Sequence, residues 1–189
     1  MKTKFFTGDG DKGESKIGNR AVSKSSNLVE FLGGLDELNS WLGLCRVGAD
    51  NKVSPKDEKG VDVSAALKDI QNSVFIIQAE VAAQGFGYPK SPKITEDKTK
   101  KLEETILKID EILPKIDKFI IVGGTELSSR LDVARAISRR VERLGKKYSE
   151  ESALSEPLLK FLNRLSSILF ALARYVNYRA GITEENPTY

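Results

Sequence analysis

Residues 125–148 read TELSSRLDVARAISRRVERLGKKY. Leu127, Leu131, Ala134, Ile137 or Ser138, and Val141 recur every three or four positions, which is the spacing of one helix face. Thr125 stands where an N-cap belongs. Arg135, Arg139 and Arg143 are spaced by four. Each step advances about 400°, a drift of about 40°, so the three guanidiniums share an arc of roughly 80° on the polar side. The segment therefore predicts an amphipathic helix with an apolar stripe toward a core and an arginine stripe away from it.

The same periodicity extends in both directions. Leu28, Phe31, Leu32, Leu35, Leu38, Leu42 and Cys45 mark a helix from about Asn27 to Val47, with the Gly33-Gly34 pair inside it permitting close packing or ligand approach. Trp41 and Cys45 share a face and read as core or interface residues. Leu67, Ile70, Val74, Ile77 and Val81 mark a second helix over about 63–84. Thr95, followed by Glu96 and Asp97, opens a third, ended by Pro114. Ser155, Glu156 and Pro157 open the last, which runs to about Arg179 on Leu158, Phe161, Leu162, Leu165, Ile168, Leu169, Leu172 and Val176. Segments 48–60 and 85–93 are loops by composition. Lys118–Val122 (KFIIV) reads as an extended, buried connector, since it has no second strand to pair with. Five helices joined by short loops predict an all-α, five-helix bundle. One domain spans 1–189, with a Gly-rich loop over 1–25, the bundle over 26–180 and a frayed tail over 181–189.

Composition narrows the chemistry. The chain has 189 residues, with 30 Lys plus Arg against 27 Asp plus Glu, a net charge of +3. That balance argues against a nucleic-acid-coating protein. No apolar run reaches the length of a membrane span or a signal peptide. The single cysteine excludes an intrachain disulfide and fits a reducing, cytoplasmic setting. Histidine is absent, which removes imidazole bases, Ser-His-Asp catalysis and His-ligated zinc. Carboxylates, Arg, Lys, hydroxyls, amides, backbone groups or a bound cofactor must do the work.

Three further features bear on it. Thr7, Gly8, Asp9, Gly10, Asp11, Lys12 and Gly13 precede Ser15, Gly18, Arg20 and Lys24. Glycines let backbone N–H groups converge on a phosphate, the cations add countercharge, and Asp9 and Asp11 are candidates for Mg²⁺. The spacing is neither that of a P-loop nor that of an EF-hand, and composition alone favours a flexible, solvated terminal arm. Asn163 sits between Leu162 and Leu165, where its amide either meets a ligand or fills a core gap. Phe119, beside Gly123-Gly124, reads as core. Arg174 and Asn177 read as polar-face or interface residues. The arginine stripe suits a polyanion, or a basic face laced with i,i+4 pairs.

In this order these pieces resemble the PduO-type ATP:cob(I)alamin adenosyltransferases. The resemblance lies in TGDGDKG through Lys24, in VEFLGGLDELNS (29–40), in FIIVGGTELSSRLDVARAISRRVER (119–143), and in KFLNRLSSILFALARY (160–175). It implies a trimer of five-helix bundles with active sites between subunits. It also implies transfer of the 5′-deoxyadenosyl group of ATP to Co(I) of a reduced corrinoid such as cob(I)alamin, releasing triphosphate, with Mg²⁺ as helper. Thr7, Gly8, Asp9, Lys12, Gly13, Ser15 and Lys24 would line the triphosphate loop. Arg139, Arg143, Glu142 and Asn163 would hold the nucleotide. Arg135 would pair with Asp36 of a neighbouring subunit, and Phe119 would stand at the corrinoid face, displacing the lower axial ligand. No resident protein-held metal is implied. A reductase and an adenosylcobalamin-dependent enzyme are the implied protein partners. Three departures stand out: a loop one residue short between Lys12 and Lys24, Val122 in place of a proline, and Asp132 in place of a histidine. The carboxylate of Asp132 would compete with Asp36 for Arg135. A nucleotide or corrinoid carrier, and a helical scaffold, are the alternative readings.

Overall fold

The computed structural model describes residues 5–6, 8–50, 60–84 and 90–189. Seven elements follow in chain order: β1 (Glu14–Ile17), β2 (Arg20–Ser23), α1 (Asn27–Asp50), α2 (Val63–Gln84), α3 (Glu96–Ile112), α4 (Glu126–Tyr148) and α5 (Glu156–Arg179). The five helices form the expected bundle. α4 packs on α5 and α1, α1 on α2, and α3 on α5.

The apolar stripes face inward. Phe31, Leu35, Leu38 and Leu42 of α1, Leu67, Val74 and Ile77 of α2, Leu131 and Val141 of α4, and Leu158, Phe161, Leu165 and Leu169 of α5 form one buried core. Two glycines set how closely α4 approaches its neighbours. A Cβ on Gly145 would lie 3.0 Å from Phe31 and Leu162 side chains, and one on Gly34 would lie 3.0 Å from Leu144. Gly34 thus serves close packing, while nothing lies within 4 Å of a Cβ on Gly33.

The structure corrects four expectations. The N-terminal segment is not all loop: β1 and β2 form an antiparallel hairpin with Ile17 opposite Arg20. Its turn is Gly18-Asn19, with Gly18 at φ 57°, the left-handed first position that a two-residue type II′ hairpin takes. The Lys118–Val122 connector is exposed rather than buried, and Phe119 is 79% exposed. Its apolar residues border a cavity instead of entering the core. Arg174 and Asn177 are buried rather than on a polar face. Finally, the tail is ordered against the fold. α5 ends in a Schellman motif, with Ile182 N–H donating to Asn177 O, Gly181 N–H to Tyr178 O, and Gly181 at φ 71°. The chain turns back there, and Arg174 Nε donates to Glu184 at 2.7 Å.

The helix caps differ in detail. Thr125 forms a reciprocal capping box with Ser128. Thr95 has an extended N-cap backbone but makes no side-chain cap bond. The Ser155 hydroxyl donates instead to the buried Glu80 carboxylate at 2.8 Å, whose other oxygen accepts the Ile94 N–H. Glu80 thereby ties α2 to the starts of α3 and α5.

Candidate active site

The capping box fixes the start of α4 and with it the rotation of the arginine stripe. Just before it, Gly123 and Gly124 adopt φ 127° and 108°. The buried Asn177 amide closes this turn by accepting from Thr125 N–H at 3.0 Å and donating to Gly123 O at 2.7 Å. The loop carrying Phe119 therefore enters α4 by a pinned turn.

Between that loop, α4 and α5 lies a cavity of about 720 Å³. Its wall includes Phe119, Ile120 and Val122 of the loop, Arg135 and Arg139 of α4, and Ser166, Ser167 and Phe170 of α5. A volume of this size suits a large cofactor fragment or a nucleotide. The three α5 residues were not singled out from the sequence. They stand three, four and seven positions beyond Asn163, the spacing of one helix face, and that offset was the available signal.

The arginines differ in their surroundings. Arg135 is half-buried, donates to Asp132 Oδ1 at 3.2 Å and stacks over Phe170 with its guanidinium carbon 5.9 Å from the ring centroid. The rival carboxylate at position 132 thus holds Arg135 within the chain. Asp36 is exposed on α1 and its carboxylate has no ion pair among the described residues. The neighbouring Glu37 instead pairs with Arg140. Arg143 donates to the Arg139 carbonyl at 3.0 Å. The Arg139 guanidinium is exposed at the cavity and has no ion pair among the described residues. An unpaired guanidinium beside a cavity is an anion-binding group in waiting.

Asn163 is exposed rather than filling a core gap. It donates to Glu142 Oε1 at 2.8 Å and accepts from Arg164 at 2.9 Å, and Arg164 reaches Glu103 at 2.8 Å. This chain of polar contacts runs from α4 across α5 to α3, next to Arg139 and Arg143. It fixes the Glu142 and Asn163 side chains without consuming either arginine.

The glycine-rich loop is folded on itself. Asp11 N–H donates to Gly8 O, Gly13 N–H to Gly10 O, and Lys24 N–H to Gly13 O. Lys24 Nζ donates to Gly10 O at 2.8 Å. Gly8 and Gly13 take φ 77° and 84°, so successive turns present the loop's rim. Asp9, Lys12 and Ser15 sit along it, Asp9 and Lys12 exposed. Thr7 lies outside the described residues. Among the described residues, the loop shares no hydrogen bond or ion pair with Arg135, Arg139 or Arg143. The bonds described for the loop run within the loop itself, from Gly8 to Lys24.

Cys45 is buried, and burial pushes its thiol up to about 11, with Arg130 acting weakly in the opposite direction. It is a core residue, not a nucleophile.

A five-helix bundle with Arg135 and Arg139 on the wall of one cavity is a scaffold suited to an anionic ligand of substantial size. The family model for cobalamin adenosyltransferase matches residues 5–176. The corrinoid adenosyltransferase of Bacillus subtilis is 37% identical over 179 residues, covering 95% of this chain and 89% of that protein. The cobalamin adenosyltransferase of Cupriavidus metallidurans is 33% identical, covering 95% and 90%. A variant of the PduO-type ATP:corrinoid adenosyltransferase from Lactobacillus reuteri, complexed with cobalamin and ATP, superposes with a TM-score of 0.86 at 33% identity, covering 98% of this chain and all of that one. The chain belongs to the cobalamin adenosyltransferase family.

Proposed function

We infer that this protein transfers the 5′-deoxyadenosyl group of ATP to Co(I) of a reduced corrinoid. The lone pair of Co(I) attacks ribose C5′, a Co–C bond forms, the C5′–O bond breaks, and triphosphate leaves with the electron pair. Co(I) is itself the nucleophile, so no base is required, in keeping with a site devoid of histidine. The protein's tasks are alignment and stabilisation of charge on the leaving triphosphate.

The observation that carries this reading is the Arg139 guanidinium, without an ion pair among the described residues, on the wall of the same cavity as Phe119. Arg139 and Arg143 hold the phosphates, with Glu142 and Asn163 positioning the nucleotide. The loop of Thr7, Gly8, Asp9, Lys12, Gly13, Ser15 and Lys24 receives the triphosphate. Phe119 packs on the corrinoid and favours loss of its lower axial ligand, giving four-coordinate Co(II) that is easier to reduce. Among the described residues no group of three or more His, Cys, Asp or Glu could hold a metal ion. Mg²⁺ would supply countercharge at the phosphates, with Asp9 and Asp11 as the candidate carboxylates to hold it.

Membership in the cobalamin adenosyltransferase family supports assembly as a homotrimer, one subunit's loop meeting another's α4. Asp36, exposed and without an ion pair among the described residues, then faces Arg135 of a neighbour, in competition with Asp132. The single buried cysteine fits a cytoplasmic setting, and a reductase and an adenosylcobalamin-dependent enzyme are the partners that this reaction calls for. The 189 residues then act as one adenosyltransferase domain.

The test is anaerobic. The protein is mixed with cob(II)alamin, a strong chemical reductant and Mg-ATP, and the corrinoid spectrum is followed alongside triphosphate release. Stoichiometric adenosylcobalamin and triphosphate, lost in Arg139→Ala, are expected. ATP binding without turnover in the presence of cob(I)alamin would refute the transferase reading in favour of a carrier.

A further inference from the structure

The loop bearing Phe119 is exposed and has little packing of its own, so something must set its position. Three contacts link it, or the carbonyl that precedes it, to the C-terminal tail. Ile121 N–H donates to Glu185 O at 2.8 Å. Asn186 Nδ2 donates to Phe119 O at 2.8 Å. Arg174 donates to both Glu184 oxygens, at 2.7 and 2.8 Å, and also to Pro114 O at 3.0 Å. Arg174 is 7% exposed. A bidentate, charge-assisted pair of this kind, with its guanidinium buried and its carboxylate partly covered, is among the stronger local anchors a fold makes. One guanidinium thus grips the end of α3 and the tail together, and the tail grips the loop on both sides of Ile120.

We propose that Glu184 and Asn186 are positioning residues for the reaction: the Arg174–Glu184 pair anchors the tail as a strap that fixes Phe119 at the cavity wall. This rests on the corrinoid-facing role given to Phe119 above. Neither residue touches the cavity. They act by holding the loop backbone, and a displacement of about 1 Å at the reacting centre is enough to cost orders of magnitude in rate.

Glu184→Gln preserves shape and removes the charge, and Asn186→Ala removes only the bond to Phe119 O from an exposed side chain. Glu111→Gln, an exposed acid on α3, is the charge control. Glu184→Gln is expected to lower kcat about tenfold at saturating ATP and cob(I)alamin, with KM for ATP unchanged. Asn186→Ala should act in the same direction and more weakly. In the presence of Mg-ATP and cob(II)alamin, both should lower the fraction of four-coordinate Co(II) seen by electron paramagnetic resonance. Amide exchange at Ile121 should accelerate while exchange along α4 stays unchanged. Wild-type kcat and Ile121 exchange in both variants would overturn the proposal. So would a loss of kcat matched by a rise in KM for ATP, since that signals general damage. If Glu184→Gln does not fold, Asn186→Ala decides. A wild-type protein that forms no adenosylcobalamin would refute the transferase reading, and Ile121 exchange would still judge the strap.

Discussion

Replacing Gly124 by alanine tests the turn that aims both the Phe119 loop and α4. At φ 108° an alanine is strained by about 1–3 kcal/mol. Its Cβ would also lie 2.6 Å from Asn177 Oδ1, 2.7 Å from Nδ2 and 2.8 Å from Cγ. The Asn177 amide cannot simply swing aside, because it is buried and engaged by Thr125 N–H and Gly123 O. Displacing it leaves buried polar groups unsatisfied, at about 1–3 kcal/mol. The sum is about 2–6 kcal/mol, a fall in Tm on the order of 10 °C for a chain of this size. Gly181→Ala is the comparison, since Gly181 has φ 71° but nothing within 4 Å of a Cβ. It bears only the backbone strain. Urea unfolding of both variants, and of Gly124→Ala combined with Asn177→Ala, measures the coupling. Equal losses in the two single variants, or strict additivity in the double, would refute the assignment of the clash to Asn177.

Asp132→Ala frees Arg135 and is expected to leave turnover within a few-fold of wild type, whereas Arg139→Ala abolishes it. Comparable losses in kcat/KM would sink that ordering. Gly145→Ala inserts a Cβ 3.0 Å from Phe31 and Leu162 and should destabilise by about 1–3 kcal/mol, read by thermal unfolding. Glu80→Ala leaves the Ile94 N–H and the Ser155 hydroxyl without their acceptor and should cost a few kcal/mol, about 2–4, in urea titration. Cys45 has a folded value raised to about 11, so the folded state favours the neutral thiol. That contribution is whole below the ordinary thiol range near 9 and is lost as pH rises toward 11. Cys45→Ala should therefore flatten the alkaline fall in stability over that interval, and the native thiol should resist aromatic disulfide reagents at neutral pH.

The helices were legible because each carries an apolar stripe long enough to fix its period, from Leu28 to Cys45 and from Leu158 to Val176. Arg135, Arg139 and Arg143 were legible for the same reason, since spacing on a helix is spacing in space. The β1–β2 hairpin escaped because four-residue strands of mixed polarity give a weak alternation, although Gly18-Asn19 was the available turn signal. KFIIV misled because apolar composition cannot distinguish a core strand from the lining of a cavity. Arg174 and Asn177 were misplaced because what buries them is the returning tail and the Gly123-Gly124 turn, contacts between segments far apart in sequence. The pairing of Arg135 was open between Asp36 and Asp132, and the i,i+3 geometry within α4 selects Asp132 in the single chain.

Phe119 stands 79% exposed, with Ile121 and Val122 more than half exposed beside it. Covering such surface on ligand binding releases ordered water and lowers the heat capacity of the system. For the ring alone, the burial is worth about 2–3 kcal/mol. Calorimetry of corrinoid binding at several temperatures should accordingly give an enthalpy that grows more negative on warming. The slope should shrink in Phe119→Ala, because hydration, rather than hydrogen bonding, would carry that part of the affinity.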